Sequence, residues 1–376
     1  MVLKAGIIGS GQSSWIEPGM TERWLELSLE AYEAALRDSG SFKGDIDAVY
    51  LARPYIPEGL EMAAAGLSES LSVGLDKRCR VSAIEGDGAA AFRQACDDLS
   101  AGRVAKCVVV AVSTVADAPD SWFDVKFEMP LKLKADEAGA LQAMSYMGHF
   151  GLSWDRLAGV VSMSRERGAA GTRAYLHEQT DRKGYLETSC EIFPLRCFDI
   201  APVAGSAVAL VMAAESADQD IRKPAWVRGS GAAQERGAIG QRRLWEAPAL
   251  RAAAKQAYTQ ARITDALKEI SCFEISDYYS PQAGLWCEAL GLAPSSKGLM
   301  LFERDNKTLP PGTVIDPSGG CLCGYALGVG GLARLAEASR WVQGRGAGQE
   351  APCAKALAHS QSGLCGQSHW VFILGA

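Results

Sequence analysis

A single carboxylate sits where this chain is best arranged for covalent chemistry. Residues 81–88, Val-Ser-Ala-Ile-Glu-Gly-Asp-Gly, form a short strand-like run ending in a glycine-punctuated turn, and residues 89–96 read as a helix. A strand, a tight turn and a buried helix hold one side chain at a helix N-terminus. Unpaired N–H groups and the macrodipole there would lower a thiol's pKa. Glu85 occupies that place. A carboxylate is electrostatically comfortable at a helix start, and its pKa tends downward unless burial dominates. General base, hydrogen-bond anchor and space-filling group are the roles open to it. A buried carboxylate without a partner is costly, so each role requires a donor nearby.

Other reactive types gather in the last third of the chain. Tyr278 and Tyr279 are adjacent on an extended segment, so one should face away from any pocket the other lines. Cys321, Cys323 and Cys365 lack the paired Cys-x-x-Cys spacing of structural zinc sites, and no metal is expected. Cys323 or Cys365 as a displaced nucleophile would lack activation by a helix N-terminus. Gly9-Ser10-Gly11-Gln12 lacks the third glycine and downstream acid of a dinucleotide fingerprint.

Positioning these residues requires alternating strands and helices, and the alternation occurs twice. The first half offers a strand at 5–8, a helix at 25–38, a strand at 48–51, the strand–turn–helix at 81–99 and a strand at 107–112. The second offers a strand at 225–229, a helix at 249–262 that Pro248 helps to start, a strand at 270–275, strand–turn–helix at 316–320 and 331–342, and a closing strand at 369–374. Matching order suggests a duplicated α/β fold with a site between the halves. The expected division is 1–215, including a charged cap at about 114–215, and 216–376. Segments 86–92 and 328–333 are nearly free of charge, which predicts helix starts buried between sheets.

The 376 residues are 48% hydrophobic and 22% charged, enough for a sizeable core in one or two domains. A net charge of -6 argues against nucleic-acid or anionic-membrane partners. No apolar run approaches about 18 residues and the N-terminus lacks a signal-peptide pattern, so a cytoplasmic location is expected. Eleven scattered cysteines read as reduced thiols packed as small hydrophobes.

Four stretches carry a family resemblance: Gly-Asp-Ile-Asp-Ala-Val-Tyr at 44–50; Gly-Ala-Ala-Ala-Phe from 88 on through Gly102; Pro-Leu-Arg-Cys-Phe-Asp-Ile-Ala-Pro-Val at 194–203 with Gly205-Ser206-Ala207; and Asp-Pro-Ser-Gly-Gly at 316–320 with Leu-Gly-Val-Gly-Gly-Leu-Ala at 327–333. In order and spacing the chain resembles the thiolase superfamily end to end, nearest its sterol-carrier-protein-type acetyl-CoA acetyltransferase branch. The resemblance implies a duplicated αβαβα layered fold with an inserted cap. It also implies a coenzyme A thioester as substrate or ligand, with no covalently bound cofactor.

The departures change the expected chemistry. The family's acyl-accepting cysteine is Glu85 here, and its Gly-His-Pro motif reads Gly324-Tyr325-Ala326, in a turn one residue short. Its His-Asp or Asn-Glu loop reads Glu274-Ile275-Ser276-Asp277-Tyr278-Tyr279-Ser280, and its C-terminal loop reads Ala358-His359-Ser360-Gln361-Ser362-Gly363-Leu364-Cys365-Gly366. Of the four histidines only His359 falls in a loop matched to the family's site; His149 and His177 lie in the cap and His369 in the last strand.

Catalytic candidates are therefore Glu85, Tyr325, His359 and Cys365, and substrate-binding candidates are Ser276, Tyr278, Tyr279, Cys323 and His149. Tyr325 resembles the tyrosine of thiolase-like aldolases, in which a phenol assists carbon–carbon cleavage without an acyl-enzyme; a phenol that satisfies a backbone carbonyl is the alternative. Cap cations, among them Lys132, Lys134, Arg165, Arg167, Arg173, Arg182 and Lys183, are expected on a solvated face, some meeting coenzyme A phosphates. The expectation is an acyl-CoA retro-Claisen or retro-aldol subunit, or alternatively a silent binding subunit of a heteromeric complex. Expected partners are a second copy, paired near the apolar strand at 107–112, and a small protein with a zinc ribbon and an oligonucleotide-binding-like fold.

Overall fold

The computed structural model describes residues 5–53, 63–72, 79–115, 130, 132–215, 223–349 and 353–376. The start of the expected cap at 116–129 and the expected domain link at 216–222 lie outside the described residues. The first half runs β1 (Ala5–Gln12), α1 (Trp24–Ser39), β2 (Ala48–Arg53), α2 (Ala63–Ser72), β3 (Arg80–Glu85), α3 (Gly88–Ser100) and β4 (Lys106–Ser113). Then come the cap elements α4 (Ala135–Phe150), α5 (Leu157–Ala170), α6 (Arg182–Leu186), β5 (Cys190–Ile192) and β6 (Leu195–Arg196), and a return strand, β7 (Ser206–Ala214). The second half comprises β8 (Ala225–Gln234), α7 (Pro248–Ala261), α8 (Ala266–Glu269), β9 (Cys272–Glu274), α9 (Ser280–Ala289), β10 (Val314–Ile315), α10 (Gly330–Val342), β11 (Lys355–Ser362) and β12 (Ser368–Gly375).

The strand order repeats. Outward from the centre it is β1-β7-β4-β2-β3 on one side and β8-β12-β11-β9-β10 on the other, joined by β1 and β8 pairing antiparallel at Gly6–Trp226 and Ile7–Ala225. Parallel and antiparallel pairings fall at the same places in both halves. Period-2 alternation then sorts the side chains. Val108 and Val110 join α1 and α2 in one core, while Val109 faces a middle core with α3, α10, Phe372 and Leu374. A third core holds α7, α9 and the cap helices. The result is a five-layer thiolase-like α/β fold with α3 and α10 buried in the middle layer.

Small residues let the two middle helices meet. A Cβ on Gly88 would lie 2.6 Å from that of Leu332, and Gly88 N–H donates to Gly328 O at 2.8 Å. Glycine is required there by close approach.

Several expectations are corrected. The expected cap ran to residue 215, but residues 206–214 form β7 between β1 and β4. Residues 316–320 are a turn after β10, not a strand, because Asp316, Gly319 and Gly320 all take positive φ. Residues 355–362 are strand β11 and not a loop. The 107–112 strand is two strands in from the open edge; the edge itself is β3, whose side chains are partly exposed. Arg165 and Arg167 are not on a solvated face: Arg165 is buried with its guanidinium 4.8 Å from the Phe198 ring centre, and Arg167 donates to Ile315 O.

Candidate functional site

The start of α3 is fixed by Asp87 and not by Glu85. Gly86 turns the chain at φ +112, so the cap position falls two residues beyond the strand end. Asp87 Oδ1 accepts from Ala89 N at 3.0 Å and Ala90 N at 3.2 Å, and Oδ2 accepts from the Ser360 hydroxyl of β11. These bonds join the first half's helix to the second half's strand. Burial pushes the Asp87 carboxyl up to about 6, against the opposing effect of those donors. Glu85 is exposed at the end of β3. The buried partner expected for Glu85 belongs instead to Asp87, a residue that sequence reasoning missed although Asp is a favoured cap.

Two tyrosines from different loops meet beside this junction. The Tyr278 and Tyr325 rings lie 4.2 Å apart at 33°, and Tyr278 donates its hydroxyl to Gln361 O at 2.6 Å. Tyr325 is held by its backbone, which exchanges bonds with Pro202 and Ala204 at 3.0 and 2.9 Å. Burial pushes the Tyr278 phenol well above its ordinary value, and the neighbouring Tyr325 adds to the shift. The Tyr278 phenol is therefore neutral at physiological pH. Tyr279 points the other way. Its hydroxyl donates to Asp136 of α4 at 2.8 Å and its ring fills the space left by Gly139.

The remaining candidates are dispersed. His359 lies inside β11, fully buried, its Nε2 3.0 Å from His369 Nδ1, with both rings edge-on to Trp286. Burial holds His359 well below the ordinary histidine range and brings His369 down to about 3, so the pair is neutral. Ser276 is buried, its carbonyl accepting from Gln361 Nε2 at 2.7 Å. Cys323 Sγ donates to Ser164 O at 3.1 Å and Cys365 Sγ to Ala138 O at 3.1 Å. Burial pushes the Cys321 and Cys323 thiols up to about 12 and about 11, the reverse of nucleophile activation. His149 stacks on Trp245 at 4.4 Å at the far end of the cap, away from the tyrosine pair.

Beneath the Tyr325 loop lies a second feature that the sequence reading overlooked. Glu274, Asp277 and Asp316 are all buried, and Arg334 of α10 reaches Glu274 Oε2 at 2.7 Å. Ser318 donates to Glu274 from its backbone N at 3.2 Å and its hydroxyl at 2.8 Å, and Ile275 N donates to Asp316 Oδ1 at 2.6 Å. Burial raises all three carboxyls, with Arg334 opposing. The cluster fixes the 316–324 turn and hence Tyr325. A lone arginine in an otherwise apolar helix start was the available signal.

Residues 231–376 match the thiolase C-terminal domain-like family. Over 325 residues the chain is 25% identical to the acetyl-CoA acetyltransferase of Methanothermobacter thermautotrophicus, covering 83% of this chain and 84% of that one. It is 34% identical over 115 residues to sterol carrier protein 2 of Homo sapiens, a match spanning 30% of this chain and 21% of that protein. The Ltp2-ChsH2(DUF35) aldolase shares the fold with a TM-score of 0.84 and 20% identity, over 99% of this chain and 98% of that chain. The fold is thus thiolase-like, and the chain is similar to sterol carrier protein 2 over part of its length and to an acetyl-CoA acetyltransferase over most of it. Among the described residues no helix is long and apolar enough to cross a membrane.

Proposed function

We propose that this chain is the thiolase-like subunit of an enzyme that cleaves or forms a carbon–carbon bond in an acyl-CoA, with the Tyr278–Tyr325 pair in place of an acyl-cysteine. The observation that carries the reading is that pair, in ring contact where the two loops meet beside the capped start of α3. Burial raises the Cys321 and Cys323 thiols, and the Cys323 and Cys365 thiols are bonded to carbonyls, which weighs against a covalent acyl intermediate.

The retro-aldol form suits neutral phenols best. In a β-hydroxyacyl thioester the hydroxyl proton leaves and the Cα–Cβ bond breaks. The bond's electron pair moves to Cα and the conjugated thioester oxygen, and Cα then takes a proton. The products are a carbonyl compound and a shortened acyl-CoA, so atoms and electrons balance without another reactant. A neutral phenol can donate a hydrogen bond to the developing enolate oxygen and deliver the proton to Cα. Asp87, ionised above about pH 6, and exposed Glu85 are the bases within this region, with His359 behind them. Ser276, Cys323 and Cys365 would shape the surroundings, whereas Tyr279 and His149 face away from them. The acetyl-CoA acetyltransferase relative supports a coenzyme A thioester as ligand, and the aldolase name supports the lyase direction and a heteromeric assembly. A second copy would pair along β3, the open edge beside Glu85.

The test is turnover of a β-hydroxyacyl-CoA by wild type, Tyr325→Phe, Tyr278→Phe and Glu85→Gln, each assayed with any co-purifying partner. Loss of about 100- to 10,000-fold in Tyr325→Phe, with ligand affinity kept, is expected for a lost proton donor. Equal rates in all four would replace this reading with that of a silent acyl-CoA-binding subunit.

A further inference from the structure

Three glutamines lie between the cap and the tyrosine pair, none more than 2% exposed: Gln142 of α4, Gln282 of α9 and Gln361 of β11. A buried amide without partners is costly, so the destination of each bond matters. Gln361 Nε2 spends both protons, donating at 2.7 Å to the Ser276 carbonyl and at 2.7 Å to Gln282 Oε1. Gln282 Oε1 also accepts from Tyr278 N at 2.9 Å, and Gln282 Nε2 donates to Gln142 Oε1 at 2.8 Å. Gln142 Nε2 ends the row on the Cys365 carbonyl at 3.3 Å.

The row can run only one way. Backbone groups with fixed roles anchor it: the Ser276 and Cys365 carbonyls can only accept, and Tyr278 N can only donate. Turning any one amide over would set oxygen against oxygen, or N–H against N–H, at two contacts or more. Tyr278 is thereby gripped at both ends, its N–H on Gln282 and its hydroxyl on the Gln361 carbonyl at 2.6 Å. The same cap helix takes the neighbouring phenol directly, Asp136 accepting from Tyr279 at 2.8 Å and Gly139 making room for its ring. Residues 136, 139 and 142 are spaced by three and share a face of α4. Through the Ala138 carbonyl, which accepts from Cys365 Sγ at 3.1 Å, α4 also holds the hairpin turn between β11 and β12.

We propose that Gln282 and Gln142 are positioning residues through which cap helix α4 sets the direction of the Tyr278 hydroxyl. They act through Tyr278 and not on a substrate. Without the Gln282 amide, Tyr278 N and one proton of Gln361 Nε2 are left unpaired in the interior, and the 276–279 segment must shift to satisfy them. Without the Gln142 amide only one proton of Gln282 Nε2 and the Cys365 carbonyl lose partners, so the effect on Tyr278 falls off along the row. The consequence for turnover rests on the proposed chemistry of the tyrosine pair; the consequence for the phenol itself does not.

Fluorine NMR of the full chain carrying ring-fluorinated tyrosine tests it, with the Tyr278 resonance identified by its loss in Tyr278→Phe. Gln282→Leu should displace or split that resonance and Gln142→Leu should do so less, both leaving the resonance of Tyr32 in α1 in place. In turnover of a β-hydroxyacyl-CoA, Gln282→Leu should lower kcat by about tenfold or more and Gln142→Leu by about threefold, with KM little changed, because a slightly misplaced group loses rate before it loses binding. A merely structural role would lower the unfolding midpoint and leave the Tyr278 resonance of the folded variants unmoved, and that result would overturn the proposal. Where Gln282→Leu does not fold, Gln142→Leu carries the test, since it leaves both bonds of Tyr278 intact. A displaced resonance with unchanged turnover would uphold the positioning and count instead against chemistry at the tyrosine pair.

Discussion

Strands β4 and β11 hold the same place in the two halves, each eight residues between a parallel and an antiparallel neighbour, yet their sequences diverge. One reads Lys-Cys-Val-Val-Val-Ala-Val-Ser, the other Lys-Ala-Leu-Ala-His-Ser-Gln-Ser. Val110, Ala111 and Val112 correspond by count to His359, Ser360 and Gln361. The neighbouring strands show the same contrast, with Ala207 of β7 matched by His369 of β12, and so do the middle helices, with buried Phe92 of α3 matched by Arg334 of α10. The first half solves each position with apolar packing. The second half places hydrogen-bonding and charged groups there and satisfies many of them among themselves. A duplicated frame thus allows one copy to act as scaffold while the other carries the polar network behind the tyrosine pair.

The contrast predicts unequal tolerance to change. Arg334→Met keeps the stem of the side chain but leaves Glu274, Asp277 and Asp316 without their cation. Removing one partner of a buried ion cluster costs about 3–5 kcal/mol, so the variant should be severely destabilised in urea unfolding. Phe92→Met in α3 should cost much less, because the swap remains within apolar packing. Similar losses in the two would mean that the second half's charges are no more demanding than the first half's core.

Acidity should separate the halves further. His359 and His369 have folded-state pKa values below the unfolded value of about 6.5, so the unfolded state binds more protons as pH falls below that point and stability declines toward pH 3. The raised carboxyls have the opposite sign. Asp87, at about 6 when folded, takes up its proton earlier in the folded state than in the unfolded one, which favours folding as pH falls from about 6 to 3.8. His359→Val with His369→Ala, the residues the first half uses, should therefore soften the decline in denaturation midpoint between pH 7 and pH 5. An unchanged decline in the double variant would show that the buried imidazoles do not govern it.

These polar substitutions also explain what the sequence made legible. In the first half α1, β2, β3, α3 and β4 are legible in the apolar pattern to within about two residues, because burial leaves a clear signal, whereas β1 runs on to Gln12 and α2 is not legible. β11 read as a loop because His359, Ser360 and Gln361 interrupt the apolar pattern, although each is buried. β7 is hard to read because Ala207, Ala209 and Ala213 are small, and Gly205-Ser206-Ala207 at its start resembles the end of the family's cap. Family likeness marked the strand end at Glu85, but the turn at Gly86 passes the helix cap to Asp87, for which the preference of Asp at helix caps was the available signal. The Glu274, Asp277, Asp316 and Arg334 cluster joins residues up to sixty positions apart, beyond the reach of local pattern.

The finest comparison lies between neighbours on one segment. Tyr278 and Tyr279 are successive residues of an extended stretch, so one phenol faces Tyr325 and the other faces Asp136 of α4. Tyr279→Phe removes one hydrogen bond to a carboxylate that water can reach, while the ring still packs against Gly139. The expected cost is about 1 kcal/mol of stability, with turnover unchanged. Tyr278→Phe removes a hydroxyl bonded to Gln361 O beside the reacting region, and should lower turnover while costing about the same in stability. Because the two stability costs are alike, denaturation cannot distinguish a catalytic phenol from a structural one. Turnover can, and equal turnover in both variants would move the chemistry away from the tyrosine pair altogether.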